Sequence, residues 1–178
     1  MWAALACAAC AAMTAAQSGR PTEYQVKAAF LFNFTKFVEW PGTAFADPRA
    51  PIVLGVLGDD PFGGSLSLIV DGQFVRGRGI TIRKYRFGDD LRGCHVLFVS
   101  ASERVRAAQI LEGLQGASVL TVSDFVGFVQ GGGVVQFFME EDRMRFVLNV
   151  EAAARANLRV SAKLLAVAYV INEPRGVR

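Results

Sequence analysis

One histidine, His95, stands next to a cysteine, Cys94, at the head of the run Cys94-His95-Val96-Leu97-Phe98-Val99. On an extended strand neighbouring side chains point to opposite faces, so these two do not form a dyad with each other, and Cys94 reads as a half-buried small thiol. A lone histidine also excludes a multi-histidine metal centre, and no G-x-S-x-G elbow is present to supply a hydrolytic nucleophile. Ser100-Ala101-Ser102-Glu103 has the spacing of a capping box, which accounts for it without catalysis. Gly58-Asp59-Asp60-Pro61 sits where a strand passes into a helix, a place where backbone N–H groups suit an anion or a small ligand. No G-x-G-x-x-G or Walker pattern is present, and Asp59 and Asp60 put negative charge where a phosphate would lie, so Asp60 is expected to cap the helix with Pro61 at its first position. Gly58, Asp59 and Asp60 stand as a candidate ligand loop. No catalytic set, metal site or cofactor is expected.

The chain that positions these residues has 178 residues, 52% of them apolar, with 19 basic and 16 acidic side chains. That length and composition suit one domain with a sizeable core and exclude a disordered tail. The net charge of +3 is too small to argue for nucleic acid. Residues 1–16 carry no charge and form an Ala-rich apolar block ending Thr14-Ala15-Ala16, the pattern of a secretory signal cleaved near Ala16. The expected organisation is therefore a signal peptide over 1–16, a short linker over 17–22, one domain over 23–172 and a flexible tail over 173–178. Cleavage removes Cys7 and Cys10 and leaves Cys94 unpaired, so no internal disulfide is available. The basic group Arg76, Arg78, Arg83, Lys84, Arg86 and Arg92 reads as a solvated edge, or as a surface for an acidic partner or an anionic membrane.

Thr22 to Trp40 lacks internal Gly and Pro and is closed by Pro41-Gly42, which predicts one helix. At about 100° per residue, Tyr24, Val26, Phe30, Leu31, Phe34, Phe37 and Val38 share an apolar arc with Gln25, Lys36 and Glu39 opposite. Phe32 falls within that polar side. It is either a singly exposed aromatic or, with Trp40 at the helix end, a partner or dimer contact. Beyond this helix the pattern alternates: a strand over 52–57, a helix from 60 to about 70, strands over 80–85 and 94–100, a helix over 104–114 and a strand over 117–122. Asp124 to Gln130 reads as a short helical turn broken by Gly131-Gly132-Gly133. A hairpin over 134–150 turns at Glu141-Asp142, and two helices follow between Glu151 and Ile171 with a break at Asn157 to Ser161. The order predicts an α/β three-layer sandwich, with a mixed, mostly parallel sheet flanked by helices and a C-terminal antiparallel hairpin.

Val26-Lys27-Ala28-Ala29-Phe30-Leu31-Phe32-Asn33-Phe34-Thr35-Lys36-Phe37-Val38-Glu39-Trp40-Pro41 closely resembles the opening helix of the YfiR-like proteins. Leu57 to Phe62, the Gly93 to Ser100 strand, Val119 to Asp124, the Gly-rich hairpin and the ending Ser161-Ala162-Lys163-Leu164-Leu165 also fit. The resemblance implies a periplasmic α/β protein, often a homodimer, that represses an inner-membrane diguanylate cyclase by contacting its periplasmic part, lowering cyclic di-GMP and biofilm formation. Family members often carry cysteine pairs, and here Gly55 and its neighbours offer no second thiol to Cys94. A periplasmic small-molecule binding module is the alternative reading.

Overall fold

A computed structural model describes residues 21–171; the expected signal peptide, most of the linker and the tail lie outside these residues. In chain order the elements are α1 (Glu23–Phe37), β1 (Val38–Glu39), β2 (Ile52–Leu57), α2 (Ser65–Val70), β3 (Phe74–Val75), β4 (Arg78–Tyr85) and β5 (Val96–Val99). They continue with α3 (Ala107–Gly113), β6 (Leu120–Ser123), β7 (Val135–Glu140), β8 (Arg143–Asn149), α4 (Val150–Arg155), β9 (Arg159–Val160), α5 (Ala162–Leu165) and β10 (Tyr169–Ile171).

An eight-stranded sheet in the order β10-β8-β7-β6-β5-β2-β4-β3 forms the middle layer. Strands β4, β2, β5, β6 and β7 run parallel in turn, β7 and β8 form the antiparallel hairpin, and β10 returns parallel to β8. The near-continuous apolar runs of β2, β5 and β6 follow from this topology, since a central parallel strand is covered on both faces and every residue of these three is buried. On one face Leu54, Val56, Val96, Phe98, Leu120 and Val122 pack under α1, α2, α4 and α5. On the other, Val53, Leu57, Leu97 and Val99 pack under α3 with Ile110 and Leu114. The sandwich is therefore three-layered and its sheet mixed and mostly parallel.

Several boundaries differ from the sequence reading, each for a local reason. Helix α1 stops at Phe37 because Val38 and Glu39 turn extended and pair with Arg159 and Val160 of β9 in a separate two-stranded sheet. Thr22 caps α1 through a capping box with Gln25. Helix α2 begins only at Ser65, so Asp60 is not its cap; the Asp60 carboxylate accepts the Phe62 N–H at 2.9 Å in a local turn. The capping box at Ser100 does not form either. Its side chain makes no cap bond, Glu103 pairs with Arg106, and residues 101–106 wind as a 3₁₀ helix before α3. Past Asn157, which takes the expected left-handed conformation at φ 55°, the chain forms β9, a four-residue α5 and β10 instead of a second long helix. The hairpin turn is as read, with Glu141 and Asp142 both at positive φ, the geometry of a two-residue turn between twisted strands.

The phase of α1 also moves. Its buried side chains are Lys27, Ala28, Leu31, Phe34 and Thr35, which rotates the buried face by about 60° from the aromatic arc toward Ala28 and Thr35. Phe30 and Phe34 still meet Phe137 and Phe146 of the hairpin at ring-centroid distances of 5.3–5.9 Å. With this rotation Phe32 is not the isolated exposed aromatic of the polar side. It is half-buried on the flank of the core, with the Lys36 ammonium 3.9 Å from its ring centre.

Candidate interaction site

Helix α1 runs against the sheet direction, so its start lies over the carboxyl ends of the parallel strands and Trp40 arrives at their amino ends. At the carboxyl end the Lys27 ammonium is buried. It donates to Asp124 at 2.6 Å and pairs with Glu23 one turn earlier, while the Tyr24 hydroxyl donates to the same Asp124 carboxylate at 3.0 Å. Burial works to lower the Lys27 pKa, but the bonds to Asp124 and Glu23 outweigh it and the net shift is upward. Burial, helped by the Asp124 charge, raises that of Tyr24. The cluster fixes α1 to the loop after β6 as a satisfied ion pair, with no group left poised for proton transfer. Lys27 escaped the reading of composition and motif, yet its signal was present: it lies four residues after Glu23 and four before Leu31, on the stripe that continues to Phe34.

The Gly58-Asp59-Asp60 turn sits near this end, and two of its backbone N–H groups and the Asp60 carboxylate have partners within the protein. The Gly58 N–H donates to the Tyr85 carbonyl and the Asp59 N–H to Ser102 Oγ, while Asp60 pairs with Lys84 at 2.8 Å. Gly58 adopts φ 86°, and a Cβ there would strike the Ser102 hydroxyl, which explains the glycine without a ligand. A groove of about 820 Å³ lies instead between α3 and α4, bordered by Gly131 and Gly132.

The amino end is built around His95. Its N–H donates to the Val53 carbonyl and its ring Nδ1 accepts the Val53 N–H at 3.0 Å, so the neutral ring carries its proton on Nε2. Phe45 stacks on the imidazole at 4.4 Å, Trp40 meets it edge-on at 6.0 Å, and Trp40 Nε1 donates to the His95 carbonyl at 3.1 Å. The Arg78 guanidinium lies 3.8 Å over the outer side of Phe45 and donates to the carbonyls of Asp47 and Ala50. Nε2 is buried without a hydrogen bond of good geometry, and burial, only partly offset by the nearby Ala44 backbone, pushes the His95 pKa down to about 4. His95 thus serves as a structural acceptor.

Trp40, half-buried, borders a cleft of about 620 Å³ shared with Glu39, Pro41, Ala154, Asn157, Leu158 and Arg159. The cleft is framed by the short β1–β9 pair on one side and the end of α4 on the other, with an acidic and a basic side chain at its rim. Arg76 secures this corner from outside. Although not glycine, it holds φ 51° in the tight turn between β3 and β4, and its guanidinium reaches the carbonyls of Lys36 and Val38 and the Glu39 carboxylate. A cation on the last carbonyls of α1 also opposes the negative end of the helix dipole.

The basic group read from the sequence is thereby divided. Arg76 and Arg78 serve carbonyls at the amino end, Arg92 donates to the carbonyls of Gly113 and Gln115, and Lys84 pairs with Asp60. Cys94 is a free, fully buried thiol, tighter than the half-buried site expected for it, donating to the Val96 carbonyl at 3.0 Å. Burial pushes its pKa up to about 12. No three of His, Cys, Asp and Glu gather as a metal site among the described residues, and no helix among them is long and apolar enough to cross a membrane.

The family described as YfiR/HmsC-like matches this sequence over residues 24–169. No curated protein matches it. Among solved structures, the chain is similar to a conserved domain protein from Vibrio cholerae O1 biovar El Tor at 13% identity and a TM-score of 0.48, covering 68% of this chain and 54% of that one. The chain thus spans about half the length of that structure.

Proposed function

The chain belongs to the YfiR/HmsC-like family of periplasmic regulators of diguanylate cyclases, and we propose that this member, exported by its leader and acting as a homodimer, binds and represses the periplasmic part of an inner-membrane cyclase. Repression lowers cyclic di-GMP and with it biofilm formation. The observation that carries the reading is the Trp40 cleft: a half-buried tryptophan at a concave corner, flanked by Glu39 and Arg159 and held rigid by the His95–Phe45 stack and the Arg76 clasp. An aromatic anchor in a preformed recess with charges of both signs at its rim is the anatomy of a protein-contact hot spot. Phe32, half-buried on the flank of α1, offers a second, separate aromatic contact. A regulator of this kind works by binding one conformation of its target better than another, so its cleft needs rigidity more than reactive groups.

The test uses Ala154, an exposed small residue at the lip of the cleft. Ala154→Arg fills the recess while leaving the core untouched. Deleting the gene in a strain that expresses its candidate cyclase is expected to raise cyclic di-GMP severalfold, the wild-type gene to restore it, and the Ala154→Arg gene to fail although the variant melts as the wild type does. Full repression by the variant would refute the cleft as the contact. Unchanged cyclic di-GMP on deletion, with the cyclase present, would refute the regulatory role.

A further inference from the structure

The two borders of the main sheet are treated differently. On one side β3 covers only Arg78 and Gly79 of β4, and the bare remainder of β4 carries Arg83 and Lys84, both exposed, which is how natural sheets discourage a further strand. On the other side β10 ends the sheet with Tyr169, Val170 and Ile171, preceded by Ala166-Val167-Ala168, a stretch without charge, proline or bulge. Tyr169 and Val170 are each 46% exposed. Among the described residues the sheet face behind this edge is also uncovered. The core under α3 takes no residue from β7, β8 or β10, so Phe138, Val147 and Ile171 stay half-buried beside Tyr169, whose ring meets Phe138 at 5.3 Å.

We propose that the outer edge of β10 pairs antiparallel with β10 of a second copy, across a two-fold axis at Val170. This deepens the homodimer of the reading above by naming its surface, and it rests on that reading. An edge strand offers unpaired backbone donors and acceptors, and a second copy matches this one in three ways. Antiparallel pairing about Val170 sets Val170 against Val170 on the helix side. On the bare side it sets Tyr169 against Ile171 twice, an aromatic facing a β-branched residue, which is a favourable cross-strand pair. The rim next to the strand holds Glu140 and Arg145 at 3.4 Å from each other, with the Tyr169 hydroxyl on Glu140, so bringing two copies together adds no excess of one charge. The two uncovered faces then adjoin, and the sheet runs through the dimer.

Purified protein beginning at Gln17, with no cyclase present, provides the test, so a failure here is separate from a failure of the regulatory reading. Light scattering is expected to give twice the monomer mass. Val170→Lys places a gatekeeper charge at the axis and should weaken the dimer about tenfold or more. Val170→Cys should cross-link on mild oxidation, because directly opposed residues of antiparallel strands lie about 4.5–5.5 Å apart at Cα, within disulfide reach. The buried Cys94 does not compete. Tyr169→Cys, facing Ile171 of the other copy, should cross-link far less. A monomeric wild type would overturn the proposal, as would a dimer that Val170→Lys leaves intact or that Val170→Cys does not trap. Should Val170→Lys fail to fold, the cysteine pair decides. A monomer whose binding to cyclase-bearing membranes is lost in Val170→Lys would assign the edge to a partner strand and overturn it too.

Discussion

Acidification is expected to weaken the fold through one residue, His95. In the folded protein its ring is packed between Phe45 and Trp40, its Nδ1 is occupied as acceptor for the Val53 N–H, and burial holds its pKa near 4. Protonation would turn that acceptor into a donor facing another donor, and would place a charge where Arg78 is already close. The unfolded chain releases the ring to an ordinary pKa of about 6.5. Between the two values the unfolded state therefore binds more protons, so the contribution of the neutral ring is complete above about pH 6.5 and falls away as pH drops toward 4. A difference of about 2.5 pH units corresponds to about 3 kcal/mol, of which about 2 kcal/mol is expected to be seen once the site relaxes around the charge. Urea unfolding at pH 7 and pH 4 measures it, with His95→Asn as the reference because its amide oxygen can accept the Val53 N–H without titrating. The variant loses ring packing at every pH, but its stability should fall by about 2 kcal/mol less than that of the wild type over this interval. As His95 is the only histidine, its ring signal can also be titrated directly by NMR. A folded-state pKa above 6, or the same pH dependence in both proteins, would refute the argument.

Asp124→Ala strands the buried Lys27 ammonium with only Glu23 and is expected to cost about 2–4 kcal/mol, whereas Lys27→Met with Asp124→Leu should cost less than the sum of the single changes by about 1 kcal/mol or more; urea melts of the four proteins provide the cycle, and additivity would contradict a coupled pair. Gly55→Ala should cost about 1–3 kcal/mol, because its Cβ would lie 2.6 Å from Cys94 Sγ and 2.8 Å from the Tyr85 ring, and Cys94→Ala should recover part of that loss in a thermal melt. Cys94 in the chain beginning at Gln17 should resist alkylation at pH 8 until denaturant is added, since both burial and the raised pKa withhold the thiolate; rapid labelling of the folded protein would refute its placement.

What could be read from the sequence was what local pattern governs. The run Ile52 to Leu57, the hairpin turn at Glu141-Asp142 and the break at Asn157 each follow from side-chain type and spacing, and all three appear where expected. The errors occur where a distant partner overrides local preference. Val38 and Glu39 continue an apolar helical pattern and leave the helix only because β9, some 120 residues later, offers them a ladder. β10 looked helical for the same reason, since its pairing with β8 is invisible to periodicity. Around the candidate site, Trp40 was legible as a helix-end aromatic, but its cleft was not, because the cleft is assembled from α4 and β9. The phase of α1 was misjudged because Ala28 and Thr35, both buried, weigh little in a pattern dominated by aromatics, while Lys27, already within the apolar arc, goes inside because two carboxylates are in reach.

The placement of these features has a physical logic. In open α/β sheets a ligand commonly sits at the carboxyl ends of the strands, where loop N–H groups and helix starts are free. Here several groups at that end make internal bonds: the Asp59 N–H to Ser102, Asp60 to Lys84 and Lys27 to Asp124. The same bonds hold the start of α1, and the far end of this one helix is held by Arg76 and by Trp40 on the His95 carbonyl. A helix fastened at both ends transmits little motion, so Phe32 on it and Trp40 three residues past its end keep a fixed geometry. Rigid presentation lowers the ordering cost of association, so a protein that acts by contact gains affinity from this arrangement without any new contact being made.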